Sequence, residues 1–90
     1  MEKRIENAIK KALAERGWLV FKVHGNAFQE SGFPDLLCWK TGIPAAIEVK
    51  QPGKEPTKLQ LHQLERLKNH GVIAGWATSV EEALELLGEN

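Results

Sequence analysis

A β-hairpin with polar side chains at one end is predicted by residues 32–50, which read GFPDLLCWKTGIPAAIEVK. Two apolar runs, residues 35–39 and 43–50, are separated by a short Lys-Thr-Gly connection of the kind that joins antiparallel strands. Because side chains alternate faces along a strand, Glu48 and Lys50 point to the same side, and the residues between and before them point into the core. The hairpin therefore carries an acid and a base on one face.

A metal site is the chemistry that this pattern favours. Asp35 begins the neighbouring strand, and paired strands lie about 4.8 Å apart, so Asp35 and Glu48 can share one end of the sheet. Two carboxylates, helped by the backbone carbonyl of Val49, would hold a Mg²⁺ ion that keeps several waters. Lys50 would orient a water or offset charge during phosphodiester hydrolysis. A surface strand with alternating Glu and Lys is the alternative, and Asp35 argues against it.

The rest of the chain predicts helices on both sides of this hairpin. Glycines and prolines separate the segments, and Thr57 and Ser79 are placed as helix N-caps, Ser79 within a Ser-x-x-Glu capping box that ends at Glu82. The predicted elements are a helix ending at Gly17, a strand over 18–23, a polar loop over 25–32, the hairpin, a helix over 57–70, a strand over 72–77 and a helix over 79–87. The order α-β-β-β-α-β-α predicts one α/β domain over residues 1–90, with a mixed central sheet flanked by helices.

Two further polar residues occupy positions near apolar stripes. Gln60 shares an i, i+4, i+7 seam with Leu64 and Leu67, so it faces inward and needs a partner, which a metal-bound water, a site carboxylate, a DNA phosphate or the backbone would supply. Gln63 lies nearer the edge of this seam. Glu6 lies about 20° around the first helix from the apolar stripe, at its border.

Composition excludes several classes of protein. The chain has 90 residues, 42% of them hydrophobic, and a single cysteine, Cys38, which excludes an internal disulfide and a zinc knuckle. No apolar run is long enough for a membrane span or placed as a signal peptide. Residues 1–80 carry twelve basic and eight acidic side chains, which permits contact with nucleic acid. The three tryptophans are interpreted as core residues, with a subunit contact as the alternative. Candidate phosphate contacts flank the proposed site: Lys22, Ser31, Gly32, Lys54 and Lys58.

Taken together, four features resemble the VRR-NUC (virus-type replication-repair nuclease) branch of the PD-(D/E)XK nucleases. They are Glu6 eleven residues before Gly17, Gly32-Phe33-Pro34-Asp35, Ile47-Glu48-Val49-Lys50, and a helix opened by Pro56-Thr57-Lys58-Leu59-Gln60. The resemblance implies a restriction-endonuclease-like fold similar to that of archaeal Holliday junction resolvases. By position it implies Asp35 and Glu48 as metal ligands, Lys50 as the catalytic lysine, Gln60 rather than Gln63 as the family glutamine, and Glu6 as the acid of the first helix and a further candidate ligand.

The function that the resemblance implies is Mg²⁺- or Mn²⁺-dependent, structure-selective cleavage of branched DNA such as four-way junctions. We expect a C₂ homodimer with a tryptophan-bearing strand in its interface, because two symmetry-related sites match the symmetry of a junction. We also expect a cytoplasmic protein of a bacterial cell or phage-infected host, with no membrane partner and no small-molecule cofactor. The alternatives are a monomeric flap or nicking nuclease, a DNA-binding module that does not cleave, and a small partner protein with an exposed tryptophan.

Overall fold

The computed structural model describes residues 2–24 and 30–90, so most of the polar loop predicted over 25–32 lies outside the described residues. The elements follow the predicted order, and their bounds differ from prediction by one or two residues. They are α1 (Glu2–Glu15), β1 (Leu19–Lys22), β2 (Leu36–Lys40), β3 (Ile43–Val49), α2 (Lys58–Asn69), β4 (Ile73–Ala77) and α3 (Val80–Leu86).

The four strands form one mixed sheet in the order β1-β2-β3-β4. Strands β1, β2 and β3 pair antiparallel, and β4 pairs parallel with β3. The parallel pair needs a crossover connection, and α2 supplies it. Pro44 lies opposite Trp39, one residue before the pairing of β3 with β4 begins. The missing N–H of this proline therefore falls at the entry of the central strand.

Helices cover both faces of the sheet, which confirms the predicted architecture. The larger core lies between the sheet and the helices α1 and α3, and it includes Ile9, Leu13, Leu36 and Ile47. The smaller core lies under α2 on the other face, where Leu64 packs with small residues of β3 and β4. Because α2 packs on β3 and β4, the same face of β1 and β2 keeps apolar side chains exposed.

The N-caps of α2 and α3 agree with the sequence in part. Thr57 and Gln60 form a complete capping box, in which each side chain accepts a hydrogen bond from the backbone N–H of the other residue. Ser79 accepts a hydrogen bond from the N–H of Glu82. The second half of the predicted Ser79 box is wrong, because the Glu82 carboxylate accepts from the N–H and hydroxyl of Thr78 instead. The Glu82 side chain still fixes the start of α3, through Thr78, the residue before Ser79.

The tryptophans do not share one environment, so the interpretation of all three as core residues is wrong. Trp18 is buried, and its indole N–H donates to Glu89 at 2.8 Å. Trp39 is exposed because α2 leaves β1 and β2 open on this face, and Trp76, on β4, is 38% exposed. Cys38 is buried as expected, and burial raises the pKa of its thiol to about 11. Within residues 2–24 and 30–90, no helix has the length and apolar character that crossing a membrane requires.

Candidate active site

The hairpin β2–β3 brings Asp35 and Glu48 together at one end of the sheet. Leu36 pairs with Ile47, so Asp35, the residue before Leu36, comes opposite Glu48. The Oδ2 atom of Asp35 accepts a hydrogen bond from the backbone N–H of Val49 at 2.8 Å. This bond crosses from one strand to the other and fixes the carboxylate of Asp35 beside the end of β3. The structure thus brings together the two acids that the sequence pattern singled out.

Glu48 is a buried acid with one unsatisfied oxygen. It is only 4% exposed although it lies in a strand of otherwise apolar residues. Its Oε2 atom accepts a hydrogen bond from Nε2 of Gln60 at 3.0 Å and lies 3.6 Å from Nζ of Lys50. Its Oε1 atom is buried and has no hydrogen-bond partner among the described residues. A buried oxygen without a partner is costly, which indicates that a ligand belongs there.

The electrostatics of Glu48 point in the same direction. Burial first, and the negative charge of Asp35 second, raise the pKa of Glu48 from 4.5 to about 7, although Lys50 opposes the shift. A cation bound at the free oxygen of such a buried carboxyl would strongly stabilise its ionised form. The site is therefore short of positive charge as the chain alone builds it.

Of the two candidate glutamines, Gln60 is the one that contacts Glu48. Its amide oxygen completes the capping box of α2, and its amide nitrogen donates to Glu48. The reason for preferring it was wrong, however, because Gln63 is 5% exposed and lies deeper than Gln60. Gln63 is buried because its amide donates to the carbonyl of Ser31 at 3.0 Å and accepts from Arg66 at 3.0 Å. Gln63 therefore anchors the segment before β2 to α2.

Gly32, a predicted phosphate contact, has a structural reason to be glycine. Its φ is +78°, a left-handed conformation that other residues adopt at a cost. A Cβ at this position would lie 2.9 Å from Cγ of Leu59 and 3.2 Å from the backbone nitrogen of Gln60. The backbone of residue 32 thus packs directly on the first turn of α2, the turn that carries Gln60. This contact sets the distance between α2 and the segment that leads into Asp35.

Glu6 and Lys22 form a second group beside Asp35. Nζ of Lys22 lies 2.8 Å from Oε2 of Glu6 and 3.7 Å from Oδ1 of Asp35. Glu6 is buried, deeper than the border position predicted for it, because Lys22 reaches it from β1. Burial alone lowers the pKa of Lys22, but its hydrogen bond to Glu6 and the charges of both acids outweigh this, and the pKa is raised. A cavity of about 450 Å³ opens here, lined by these three residues and by Glu2, Lys3, Asn7, Lys10 and His24.

The bridging position of Lys22 is the feature that sequence reasoning missed, since Lys22 was predicted only as a phosphate contact. A signal for it was present, because Lys22 alternates with Val20 and so points to the face covered by α1. The remaining predicted contacts stay predictions. Lys54 lies in the exposed segment between β3 and α2, Lys58 is the exposed first residue of α2, and Ser31 is exposed.

The donor set of the site fits a hard divalent cation. Within residues 2–24 and 30–90, no group of three or more His, Cys, Asp and Glu side chains is placed to hold a metal ion. Asp35 and Glu48 lie opposite each other on the hairpin, and Oε1 of Glu48 is buried without a hydrogen-bond partner among the described residues. Oxygen ligands of this kind suit Mg²⁺, which is commonly bound through one or two carboxylates with waters and substrate oxygens. Glu6 is held by Lys22 in this arrangement.

Two solved structures that are described by the name VRR_NUC have this fold. A solved structure described as a VRR_NUC domain superposes with a TM-score of 0.80 and 28% identity, over 97% of this chain and 94% of that chain. A second, described as a VRR_NUC domain protein, gives a TM-score of 0.77 and 17% identity, over 98% and 85%. The sheet and the flanking helices thus have the fold of these VRR_NUC structures, which confirms the resemblance seen in the sequence.

The family is shown by a match over most of the chain. The family model described as archaeal Holliday junction resolvase (Hjc) matches residues 2–80, so the chain belongs to the archaeal Holliday junction resolvase family. The structure of Hjc from Archaeoglobus fulgidus, a Holliday junction resolvase from an archaeal hyperthermophile, has the same fold. It gives a TM-score of 0.66 and 23% identity, over 83% of this chain and 65% of that chain. No curated protein matches the chain.

Proposed function

We propose that this protein is a Mg²⁺- or Mn²⁺-dependent endonuclease of the PD-(D/E)XK type that cleaves branched DNA, with the four-way junction as its substrate. Membership of the archaeal Holliday junction resolvase family supports a nuclease that acts on branched DNA. The observation that carries the metal dependence is the free, buried Oε1 of Glu48 beside Asp35. A module that only binds DNA would gain nothing from a buried acid beside a second acid, because both acids repel phosphates.

The residues around the proposed cation fall into two groups, those that would bind the ion and those that position its ligands. Asp35 and Glu48 would hold the ion, with the backbone carbonyl of Val49 as a third ligand. The Val49 N–H keeps Asp35 in place, and Gln60 engages one oxygen of Glu48 so that the other stays free. A cation bound there supplies Lewis-acid stabilisation of the phosphate and lowers the pKa of its water.

Lys50 directly follows β3 and is the positively charged side chain beside Glu48. Its Nζ lies 3.6 Å from Oε2 of Glu48, close enough for attraction and too far for a strong hydrogen bond. The side chain is 16% exposed, so it borders the solvent from which water and DNA arrive. In this position Lys50 orients the attacking water and offsets the charge that develops on the phosphate.

A homodimer is part of the proposal, and an apolar area of the sheet supports it. Leu19, Phe21 and Trp39 are 57%, 50% and 40% exposed and lie on the face of β1 and β2 that α2 leaves open. The rings of Phe21 and Trp39 pack edge to face, with centroids 6.1 Å apart. An exposed apolar cluster on a sheet edge favours association, and two-fold pairing would present two sites to one junction.

The direct test is cleavage of labelled DNA by the purified protein. Four-way junction, flap, duplex and single-stranded substrates are incubated with the protein in millimolar Mg²⁺, in Mn²⁺ and in EDTA. We expect paired incisions in the junction with either metal, none in EDTA, and little cleavage of duplex. Asp35→Asn removes a ligand charge with little change of shape and abolishes cleavage, while Glu65→Gln, an exposed glutamate of α2, leaves it unchanged.

The other outcomes identify the alternatives. Binding of the junction without cleavage in either metal would identify a DNA-binding module and refute the enzyme. Preferred cutting of flaps by a protein that stays monomeric would support a flap nuclease instead of a resolvase. Cleavage by Asp35→Asn at the wild-type rate would refute the assignment of the site.

A further inference from the structure

Lys22 lies between two acids of the site in the way that a bridging cation does. Its ammonium group is 2.8 Å from Oε2 of Glu6 and 3.7 Å from Oδ1 of Asp35. The other oxygen of Asp35, Oδ2, is engaged by the backbone N–H of Val49. One oxygen of Asp35 therefore faces Val49, the last residue of β3, and the other faces Lys22. In two-metal nuclease sites, a carboxylate shared between two ions about 3.5–4 Å apart occupies an equivalent position.

The surroundings of Lys22 keep it in place and charged. The side chain of Glu6 is only 11% exposed and that of Lys22 28% exposed, so their ion pair is partly shielded from water. Lys22 belongs to a paired strand, opposite Leu36, the residue that follows Asp35. A lysine side chain carries its charge in the neutral range, and the carboxylates of Glu6 and Asp35 both lie close enough to attract the ammonium group. The positive charge between Glu6 and Asp35 is thus a built part of the fold.

The charge balance shows what this ammonium replaces. Glu6, Asp35 and Glu48 in their ionised forms carry three negative charges, and Lys22 and Lys50 carry two positive charges. One divalent cation turns the site from one net negative to one net positive charge, which matches a single phosphodiester group. A second divalent cation would leave a large positive excess and would have to displace Lys22 from both acids.

We propose that the ammonium group of Lys22 takes the place of a second divalent cation between Glu6 and Asp35, so that each chain binds and uses one metal ion. The inference rests on the proposed nuclease function, because it takes Asp35 and Glu48 as the ligands of the first ion. It assigns Glu6 a role as the partner of Lys22 and removes it from the ligand set. Lys22 is then a positioning residue that acts through the two carboxylates.

The test is a count of bound Mn²⁺ ions on the whole chain without DNA. Electron paramagnetic resonance reports free Mn²⁺ directly, so a titration gives the number of ions bound per chain without relying on cleavage. We expect one ion per wild-type chain and two per chain of Lys22→Met, which keeps the length of the side chain and loses its charge. The two ions of the variant would broaden each other's signal. Lys22→Arg keeps the charge and should return the count to one.

Two controls make the count specific. Lys10→Met removes a lysine that lines the same cavity from α1, and it should leave the count at one. Glu6→Gln combined with Lys22→Met removes both halves of the ion pair, and it should also bind one ion because the second site has lost a ligand. Circular dichroism establishes that each variant is folded. Lys22→Gln, which keeps a hydrogen-bond donor for Glu6, replaces Lys22→Met if the latter does not fold, with two ions expected.

The outcomes separate this inference from the proposed function. Two ions on the wild-type chain would overturn the role of Lys22 and leave a metal-dependent nuclease intact, and this result needs no variant. One ion on both wild type and the folded charge-removal variant would also overturn it. Absence of Mn²⁺ binding to the wild type would refute the metal site itself and with it the proposed function.

Discussion

Replacing Glu48 with glutamine should change the stability of the metal-free protein in a pH-dependent way. The free energy of unfolding of Glu48→Gln, relative to that of the wild type, should be higher at alkaline pH than at acidic pH. Glu48 is buried in a strand and has an oxygen without a hydrogen-bond partner among the described residues. Ionising such a carboxyl costs free energy in the folded state that the unfolded chain does not incur. The Glu48→Gln variant removes the ionisation and keeps nearly the same shape. The comparison therefore isolates the free energy that the folded protein loses when Glu48 ionises.

The magnitude follows from the pKa of Glu48, which rises from 4.5 to about 7 on folding. Because the folded state binds this proton more tightly, the stabilisation is fully present below pH 4.5 and is lost as the pH rises through 7. Each pKa unit corresponds to about 1.4 kcal/mol, so the wild type loses on the order of 3 kcal/mol across this range through Glu48. Glutamine does not titrate, and the variant lacks this loss. Its amide oxygen can accept from Gln60, while its amide nitrogen takes the unpartnered position at a constant cost of about 1–3 kcal/mol.

The assay is urea denaturation in EDTA at about pH 5 and about pH 8, where the difference between the two pH values cancels the constant cost. The free energy of unfolding of Glu48→Gln minus that of the wild type should increase by about 2 kcal/mol from the lower to the higher pH. The exposed-site variant Glu65→Gln is the matched control and should follow the wild type at both. Parallel pH dependence of the wild type and Glu48→Gln would refute the reasoning about the buried charge.

Metal adds a second arm to this experiment. At ten times its dissociation constant, a cation that binds only the folded state stabilises it by about 1.4 kcal/mol. Mn²⁺ at pH 8 should therefore raise the unfolding free energy of the wild type and of Glu65→Gln, and leave Glu48→Gln nearly unchanged. Equal stabilisation of all three proteins would mean that the cation binds elsewhere.

Three further predictions concern Lys50, Gly32 and the exposed apolar face that includes Trp39. Lys50→Ala should lower the cleavage rate by a factor of about 100 or more without weakening metal binding, whereas unchanged cleavage would make Lys50 a surface residue. Gly32→Ala should destabilise the fold by more than about 1 kcal/mol, because it adds strain at positive φ to a clash with α2; calorimetry that gives an unchanged melting temperature would contradict this. Trp39→Arg should convert a dimer to a monomer with its metal site intact, and light scattering that shows the wild type itself near 10.1 kDa, with and without DNA, would eliminate the dimer.

The hairpin and its acids were predictable because the signals are local. Alternation along β3 placed Glu48 and Lys50 on one face, and the short connection set the register that brings Asp35 opposite Glu48. The capping box of α2 was equally local, and it holds Gln60 in the turn that meets Glu48. Each of these relations joins residues that are neighbours along the chain or across one turn.

The predictions that were wrong, and the contact that was missed, depend on how the helices and the segment before β2 pack against the rest of the fold. Periodicity placed Gln63 at the edge of the seam, but Ser31 and Arg66 supply partners that bury it. Trp39 is exposed because α2 covers β3 and β4 and leaves β1 and β2 open, a choice of position that no local pattern encodes. The bridge from Glu6 through Lys22 to Asp35 joins three separate elements, so it becomes visible only once the helix α1 is packed on the sheet.

Glu48 illustrates why the candidate active site could be recognised in so short a chain. Residues 45–49 of β3 are all buried, and four of them are apolar. An acid in such a run opposes folding, since burial penalises its charge and Asp35 adds repulsion. The fold accommodates it with two local supports, the amide of Gln60 and the ammonium of Lys50, and neither reaches Oε1. A position that breaks the local pattern without full compensation inside the chain is the expected mark of a functional residue, and the proposed cation would be the missing partner of Oε1.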